Sequence, residues 1–364
     1  MLDPKVWAAV PFHFWSGSIF VLGCLVGSFL NVCIHRLPRG ESIVSPPSHC
    51  PHCGYSIPWY LNIPLVTWLY LRGRCANCRA AISIRYLLVE LLTGLAFLAC
   101  WLVFGPASAP KALIYCMLMA GFIAATFIDF EHFIIPDEIT LGGIGAGFLC
   151  SLIAPILHQR ERVVESLRDS LIGIAVGGGL IWAILELGKL VFGRQKIRVG
   201  AGRRIVFTET SLVLPDQELP YEEIFFRDSD TIRMEARRVE CVDRCFWNTS
   251  VRLSPRRLEI GETCLKPEEM PHMEVETDLV VLPREAMGMG DVKFMAAIGA
   301  FLGWQAVVFT LMVSSMLGAV VGVLLVIAGK REWSSRLPYG PYIACGAVVW
   351  MFAGQRFLAA LFPR

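Results

Sequence analysis

The chain has 364 residues, 55% of them hydrophobic and only 18% charged, where a soluble domain carries about 25% charged residues. Residues 194 to 285 alone hold 15 Lys/Arg and 18 Asp/Glu, which leaves 31 of the 64 charges to the other 272 residues and excludes a chain that is soluble throughout. A formal net charge of +2 says nothing about a nucleic-acid partner, and since no long basic stripe is present none is expected.

The first apolar segment, FWSGSIFVLGCLVGSFLNVCI at 14 to 34, is uncharged and about one bilayer long. It is longer than a signal-peptide core and lacks a small-residue cleavage site, so residues 1–35 read as an uncleaved anchor. Residues 36–85 form a polar loop. Apolar segments follow at about 86–104, 112–128, 139–157 and 171–193, making 86–193 a block of four spans, the second to fifth. Residues 194–285 alternate short apolar stretches (RIVFTET, SLVLPD, EIFFRD) with Gly, Pro and Asp turns, the pattern of a small soluble β-rich insert. Within 286–364, the run from 292 to 329 is too long for one span, and Gly303 and Trp304 offer a break into two short ones, with a last segment at 339–361. The fold expected is an all-α polytopic membrane protein of about eight transmembrane helices, carrying a knuckle-like loop and a β-rich insert.

The 36–85 loop sets the expected orientation. Arg36, Arg39, Arg72, Arg74, Arg79 and Arg85 face one acid, Glu41, which places the loop in the cytoplasm and with it the insert. The loop HQRERVVESLRD at 158–169 has three arginines on the opposite side and fits this poorly. Because the insert faces inward, the sequon Asn248-Thr249-Ser250 would go unused.

Four of the 13 cysteines form C-P-H-C and C-A-N-C. Cys50 and Cys53 are separated from Cys75 and Cys78 by 21 residues, a spacing that suits a tetrahedral thiolate zinc site. His49 or His52 is an alternative to one thiolate, and two redox pairs are the competing reading, disfavoured in a cytoplasmic loop. Cys241, Cys245 and Cys264 have no paired spacing.

In AMGMGDVKF, at 286–294, Asp291 follows Gly288 and Gly290 at the mouth of an apolar run, where an ionisable group marks a functional site. The glycines allow close backbone approach. Asp129, 162 residues earlier, ends the third apolar segment on the same side. Two carboxylates in one site share a proton: the ionised one activates water and the protonated one polarises a carbonyl. Asp137, after Pro136, reads as a helix cap. Glu90 is a candidate functional contact with no partner visible in the sequence, while Glu186 and Lys189 are spaced to neutralise each other.

Several stretches in order resemble the type IV prepilin peptidases, aspartic proteases of the GxGD kind. They are GSFLNVCIHRLPRGES (27–42), RGRCANCRAAISIRYLLVELLTG (72–94) with both CxxC pairs, IDFEHFIIPD (128–137), GGGLIWAI (177–184), GMGDVKF (288–294) and LPYGPYIACG (337–346). The resemblance implies a bacterial inner-membrane enzyme whose active site faces the cytoplasm. It implies removal of the leader from prepilins and pseudopilins, with Asp129 and Asp291 catalytic, followed by N-methylation with S-adenosylmethionine. The insert is the departure from a minimal member. A metal transporter or sensor, and a non-enzymatic pilus-assembly scaffold, are the alternatives.

Overall fold

The computed structural model describes residues 11–192, 195–200, 203–215, 218–225, 230–241, 244–267, 270, 272–282, 288–328 and 337–361. They form two compact units, Met1–Trp182 with Gly288–Arg364, and Ala183–Met287.

The first unit is helical. Its helices are α1 (Phe12–Arg36), the short α2 (Val66–Tyr70), α3 (Ile84–Phe104), α4 (Ala109–His132), α5 (Asp137–Ile153) and α6 (Val163–Phe192), whose end enters the second unit. After the insert come α8 (Met289–Leu302), α9 (Trp304–Ile327) and α10 (Gly340–Leu361), with α7 (Tyr221–Ile224) inside the insert. Five helical stretches among the described residues are long and apolar enough to cross a membrane: Phe12–Arg39, Ile84–Phe104, Ala109–His132, Val163–Leu187 and Trp304–Ile327.

The apolar run after Asp291 divides at Gly303, which takes a φ of 80°. The two pieces are unequal: α8 has 14 residues and α9 has 24. At 1.5 Å per residue α8 is only about 21 Å long, and the same rise makes the 17-residue α5 about 25 Å. These two short helices pack on each other, with Gly143 and Gly147 of α5 against Ala297 and Ala300 of α8. Residues 163–170, expected in a loop, already belong to α6. Ser83 and Ser108 each cap a helix, accepting from the backbone N–H of Arg85 and Lys111.

The second unit is an antiparallel sheet built from β1 (Gln195–Arg198), β2 (Arg204–Phe207), β3 (Ser211–Val213), β4 (Glu218–Pro220), β5 (Ile232–Cys241), β6 (Cys245–Ser254), β7 (Arg257–Ile260), β8 (Thr263–Leu265), β9 (Met273–Glu276) and β10 (Leu279–Leu282). The strand order is β4-β3-β2-β9-β5-β6-β7-β8, with β10 joining β1 to β5. Its centre is the pair β5 (Ile232–Cys241) and β6 (Cys245–Ser254). Ile232, Met234 and Ala236 of β5 point into the core at period two, and then Val239 does so after a slip at Arg237 and Arg238. The slip coincides with a change of partner, from β10 (Leu279–Leu282) to β9 (Met273–Glu276). Thr277, at that junction, donates its hydroxyl to the carbonyl of Glu235 at 2.7 Å. RIVFTET and SLVLPD supply β2 (Arg204–Phe207) and β3 (Ser211–Val213) as expected. Of EIFFRD, only Glu223 to Phe225 lie among the described residues, and they form no strand: Pro220 opens α7, which takes up Glu223 and Ile224. Proline at the residue before the first helical turn fixes φ and needs no donor.

Candidate active site

Asp129 lies in the last turn of α4 and Asp291 in the first turn of α8. Phe122 and Phe294 make an edge-on contact between these helices, with ring centroids 5.7 Å apart. Asp129 is two turns beyond Phe122 and Asp291 nearly one turn before Phe294, so both carboxylates stand on the facing sides of their helices. At 1.5 Å per residue they lie about 10 Å and about 4.5 Å above the ring contact, at the same end of the bundle.

Both side chains are buried, with 5% exposure at Asp129 and 8% at Asp291. Each is held by a glycine N–H. Gly340, the first residue of α10, donates to Asp129 Oδ2 at 2.8 Å, and Gly288 donates to Asp291 Oδ2 at 2.9 Å. The second bond is the reach-back half of a capping box, since Asp291 is the third residue of α8. Asp291 thus stands at the N-terminus of its own helix, whose dipole favours negative charge, while Asp129 stands between the C-terminus of α4 and the N-terminus of α10, whose dipoles oppose each other.

Ile135 bridges the two loops. A methyl group on Gly340 would stand 2.8 Å from Asp129 Oδ2 and 3.2 Å from Ile135 Cδ1, and one on Gly290 would stand 3.4 Å from Ile135 Cβ. The expected roles of the glycines thus divide: Gly288 orients a carboxylate, while Gly290 lets α8 close on Ile135. Beneath the aspartates an apolar cleft of about 250 Å³ runs between α1, α4, α5 and α8, lined by Leu30, Met117, Phe122, Ile139, Phe294 and Phe301 among others.

Asp137 is not the cap that the sequence suggested. It is the first residue of α5, Pro136 occupies the cap position, and no side-chain cap bond forms. Its carboxylate instead takes two bonds from Lys293 Nζ, at 2.6 and 2.9 Å, tying α5 to α8. This pair is partly open to solvent, and such pairs contribute about 0–1 kcal/mol. Asp137→Asn is accordingly expected to leave cleavage within about threefold of the parent, roughly 0.7 kcal/mol of barrier, in a substrate-processing assay.

Glu90 has a partner. Its Oε2 accepts from the backbone N–H of Leu65 at 2.7 Å, across a separation of 25 residues. Glu186 lies within α6, and the Lys189 side chain falls outside the described residues, so that pairing is not described.

The four loop cysteines converge. The sulfurs of Cys50, Cys53, Cys75 and Cys78 all lie within 4.8 Å of one another. Cys50 Sγ and Cys78 Sγ are 3.8 Å apart, matching the edge of about 3.8 Å in a tetrahedron of 2.3 Å metal–sulfur bonds. The two knuckles share one backbone design. Cys50 N–H donates to Tyr55 O and Cys75 N–H to Ala80 O, and Gly54 and Arg79 hold equivalent positive φ angles of 68° and 61°. Backbone N–H groups of Cys78 and Asn77 hold the Cys75 thiol down to about 6 and that of Tyr55 lowers Cys53, whereas Cys78, despite the backbone N–H of Ala80, is pushed up to about 11 by desolvation and the neighbouring thiols. His49 and His52 are not in the cluster, and the His49 ring bonds the carbonyl of Pro47. The donor set fits one soft, four-coordinate metal ion.

Arg85, at the start of α3, pairs with Glu131 at the end of α4. The cysteine loop, which feeds α3, thus opens on the same end of the bundle as the two aspartates.

Two buried carboxylates at one end of an apolar helical bundle form a candidate site of the aspartic-protease class. Comparison with known proteins makes this particular. Residues 21–104 match the bacterial Peptidase A24 N-terminal domain, and residues 116–220 with 275–323 match the type IV leader peptidase family. The chain belongs to that family. A prepilin leader peptidase/N-methyltransferase of Myxococcus xanthus is 33% identical over 86% of this chain and 64% of its own length. The chain thus spans just under two thirds of that relative. Proteins of the same description from Aeromonas hydrophila and Stutzerimonas stutzeri are 28% and 27% identical over 91% and 93% of this chain, and 89% and 91% of theirs. No solved structure matches the chain. The family match passes over residues 221–274, the middle of the β-rich unit.

Proposed function

We propose that this chain is a membrane aspartic endopeptidase that removes the leader from type IV prepilins and pseudopilins and then methylates the new N-terminus. The observation that carries this reading is the placement of Asp129 and Asp291 on facing helix ends, buried and each oriented by a glycine N–H. The ionised carboxylate takes a proton from water as the water attacks the scissile carbonyl. The protonated one donates to the carbonyl oxygen; as the intermediate collapses it takes that proton back, and the first carboxyl gives the proton it took from water to the leaving amine. The apolar cleft beneath the pair suits an apolar substrate segment next to the cut.

The eight apolar helices read as eight spans of a bacterial inner membrane. The arginine excess of the 36–85 loop puts that end of the bundle, and hence both aspartates, at the cytoplasmic edge. The three arginines of the 158–169 segment count against this orientation, and the six of the first loop outweigh them. The decisive experiment incubates membranes containing this chain with a prepilin and follows leader removal by mass. An intact leader after long incubation would sink the peptidase reading.

Cys50, Cys53, Cys75 and Cys78 hold a structural zinc ion that staples the loop. Purified protein is expected to contain about one equivalent of zinc, and Cys75→Ser to lose most of it, because a closed four-thiolate site leaves no spare ligand. Unchanged metal content in that variant would remove zinc from the loop. S-adenosylmethionine supplies the methyl group in the second activity. A transporter is disfavoured because the four sulfurs face one another outside the spans, which makes a closed site and not a path.

A further inference from the structure

Residues 54 to 71 of the cysteine loop, GYSIPWYLNIPLVTWLYL, contain no Asp, Glu, Lys, Arg or His. A polar loop between two helices has no use for such a run unless something apolar covers it. The run forms a 3₁₀ turn (Trp59–Leu61) and α2, and it turns its large side chains outward. Trp59 is 82% exposed and Tyr70 79%, and Tyr60, Ile63, Val66 and Leu69 are exposed with them. Six large apolar or aromatic side chains open within twelve residues exceed what soluble loops leave uncovered.

Two independent measures give the depth of this run along the bundle. Leu65 N–H donates to Glu90, six residues into α3, which is about 9 Å below the start of that helix. Asn62 and Pro64 share a cleft of about 270 Å³ with Leu25, Ser28 and Phe29, seven to eleven residues before the end of α1. The loop therefore folds back alongside α1 and α3, below the ends of both helices. Around it at that depth, Leu25 and Phe29 of α1 and Leu88 and Leu92 of α3 are exposed as well.

The turn that sends the loop back is built for this. Leu65 takes φ 61° and ψ −51°, with Val66 N–H bonded to Pro64 O at 2.6 Å, a strained three-residue turn. Such a conformation persists only where its surroundings enforce it. The buried Glu90 does so, by accepting the N–H that the turn presents to it.

We propose that residues 59–70 are a re-entrant anchor lying in the bilayer interface, with lipid as the partner that covers them. Tryptophan and tyrosine at both ends of the segment are the side chains that settle at the headgroup level. Arg72, Arg74 and Arg79 follow at once, where a lipid-lying segment meets anionic headgroups. Glu90 is then a positioning residue: it pins the anchor to α3 and so holds the cysteine knuckles against the membrane beside the aspartates.

Hydroxyl-radical footprinting of the unsubstituted protein in lipid nanodiscs tests the covering. Trp59 and Tyr70 are expected to label weakly, and Trp247 of the β-rich unit, itself 65% exposed, to label strongly. Labelling of Trp59 and Tyr70 as strong as that of Trp247 would overturn the proposal. Photocrosslinking identifies what covers them, with p-benzoylphenylalanine placed singly at Trp59, Tyr70 or, as a lipid-facing reference, Phe29. Phospholipid adducts at all three positions are the expected result. Adducts with lipid at Phe29 but with a second copy or a prepilin at 59 and 70, or no adduct there, would overturn the anchor while leaving the spans in place. No lipid adduct even at Phe29 would overturn the membrane-spanning reading on which the anchor rests.

Discussion

Asp129→Asn and Asp291→Asn are each expected to abolish leader removal while leaving expression, membrane insertion and thermal stability near the parent. Asparagine keeps the shape, and its amide oxygen still accepts the N–H of Gly340 or Gly288, so the local geometry survives. What is lost is the proton. Each acid–base role contributes about 10²–10⁴-fold, roughly 3–5 kcal/mol of barrier, and the two roles depend on each other. The measurement is single-turnover cleavage of a prepilin in detergent, beside a melting curve of each variant. Cleavage within tenfold of the parent by either asparagine variant would remove that residue from the reaction. A variant that melts well below the parent would show that the carboxylate holds the fold.

How far the sequence reveals this arrangement depends on the range of the interactions. The aspartates stand out because a carboxylate at the edge of an apolar run is costly, and the cysteines because CxxC spacing is itself the ligand geometry of a knuckle. Hydropathy locates the apolar helices to within several residues, since it reports on each segment alone. It misjudges the start of α6, where paired charges on the first turns hide helical periodicity. Contacts between distant segments leave no such mark. Gly340 sits in a stretch recognisable from the resemblance, but its N–H, the group that orients Asp129, is common to all residues except proline. Glu90 draws notice as an unpaired acid, because its partner is the backbone of Leu65, which no residue type announces. Asp137 after Pro136 has the composition of a cap, and only the position of Lys293 on a helix 156 residues away turns it into an ion pair.

The glycines show the same limit, and they carry the second large expectation. Gly173 and Gly177 are spaced one turn apart on α6, the small-xxx-small pattern that lets two helix backbones touch in a membrane. The helix they touch is α8. A methyl group on Gly173 would stand 2.0 Å from the carbonyl oxygen of Gly299, and one on Gly177 would stand 2.3 Å from that of Met295. These are backbone atoms and cannot swing aside, so α8 itself has to move. Met295 is one turn from Asp291, and a short helix shifts as a rigid rod, which carries the carboxylate out of register with Asp129.

Gly173→Ala is therefore expected to lower both stability and cleavage, against the local preference of the helix. Alanine is favoured over glycine in a helix interior by about 1 kcal/mol, so propensity alone predicts a more stable protein. Overpacking a close crossing costs about 1–3 kcal/mol and outweighs that gain. A misplacement of about 1 Å at the reacting groups can reduce turnover by about 10². Gly179→Ala is the matched control, two positions beyond Gly177 on the same helix, where a methyl group meets nothing within 4 Å. Melting temperature and single-turnover cleavage of the three alanine variants decide the matter. Gly173→Ala and Gly177→Ala should melt lower and cut at least tenfold more slowly, with zinc content unchanged, because the knuckles are built on another part of the unit. Gly179→Ala should match or slightly exceed the parent in stability. Full activity in Gly173→Ala would mean that α6 does not set the position of Asp291.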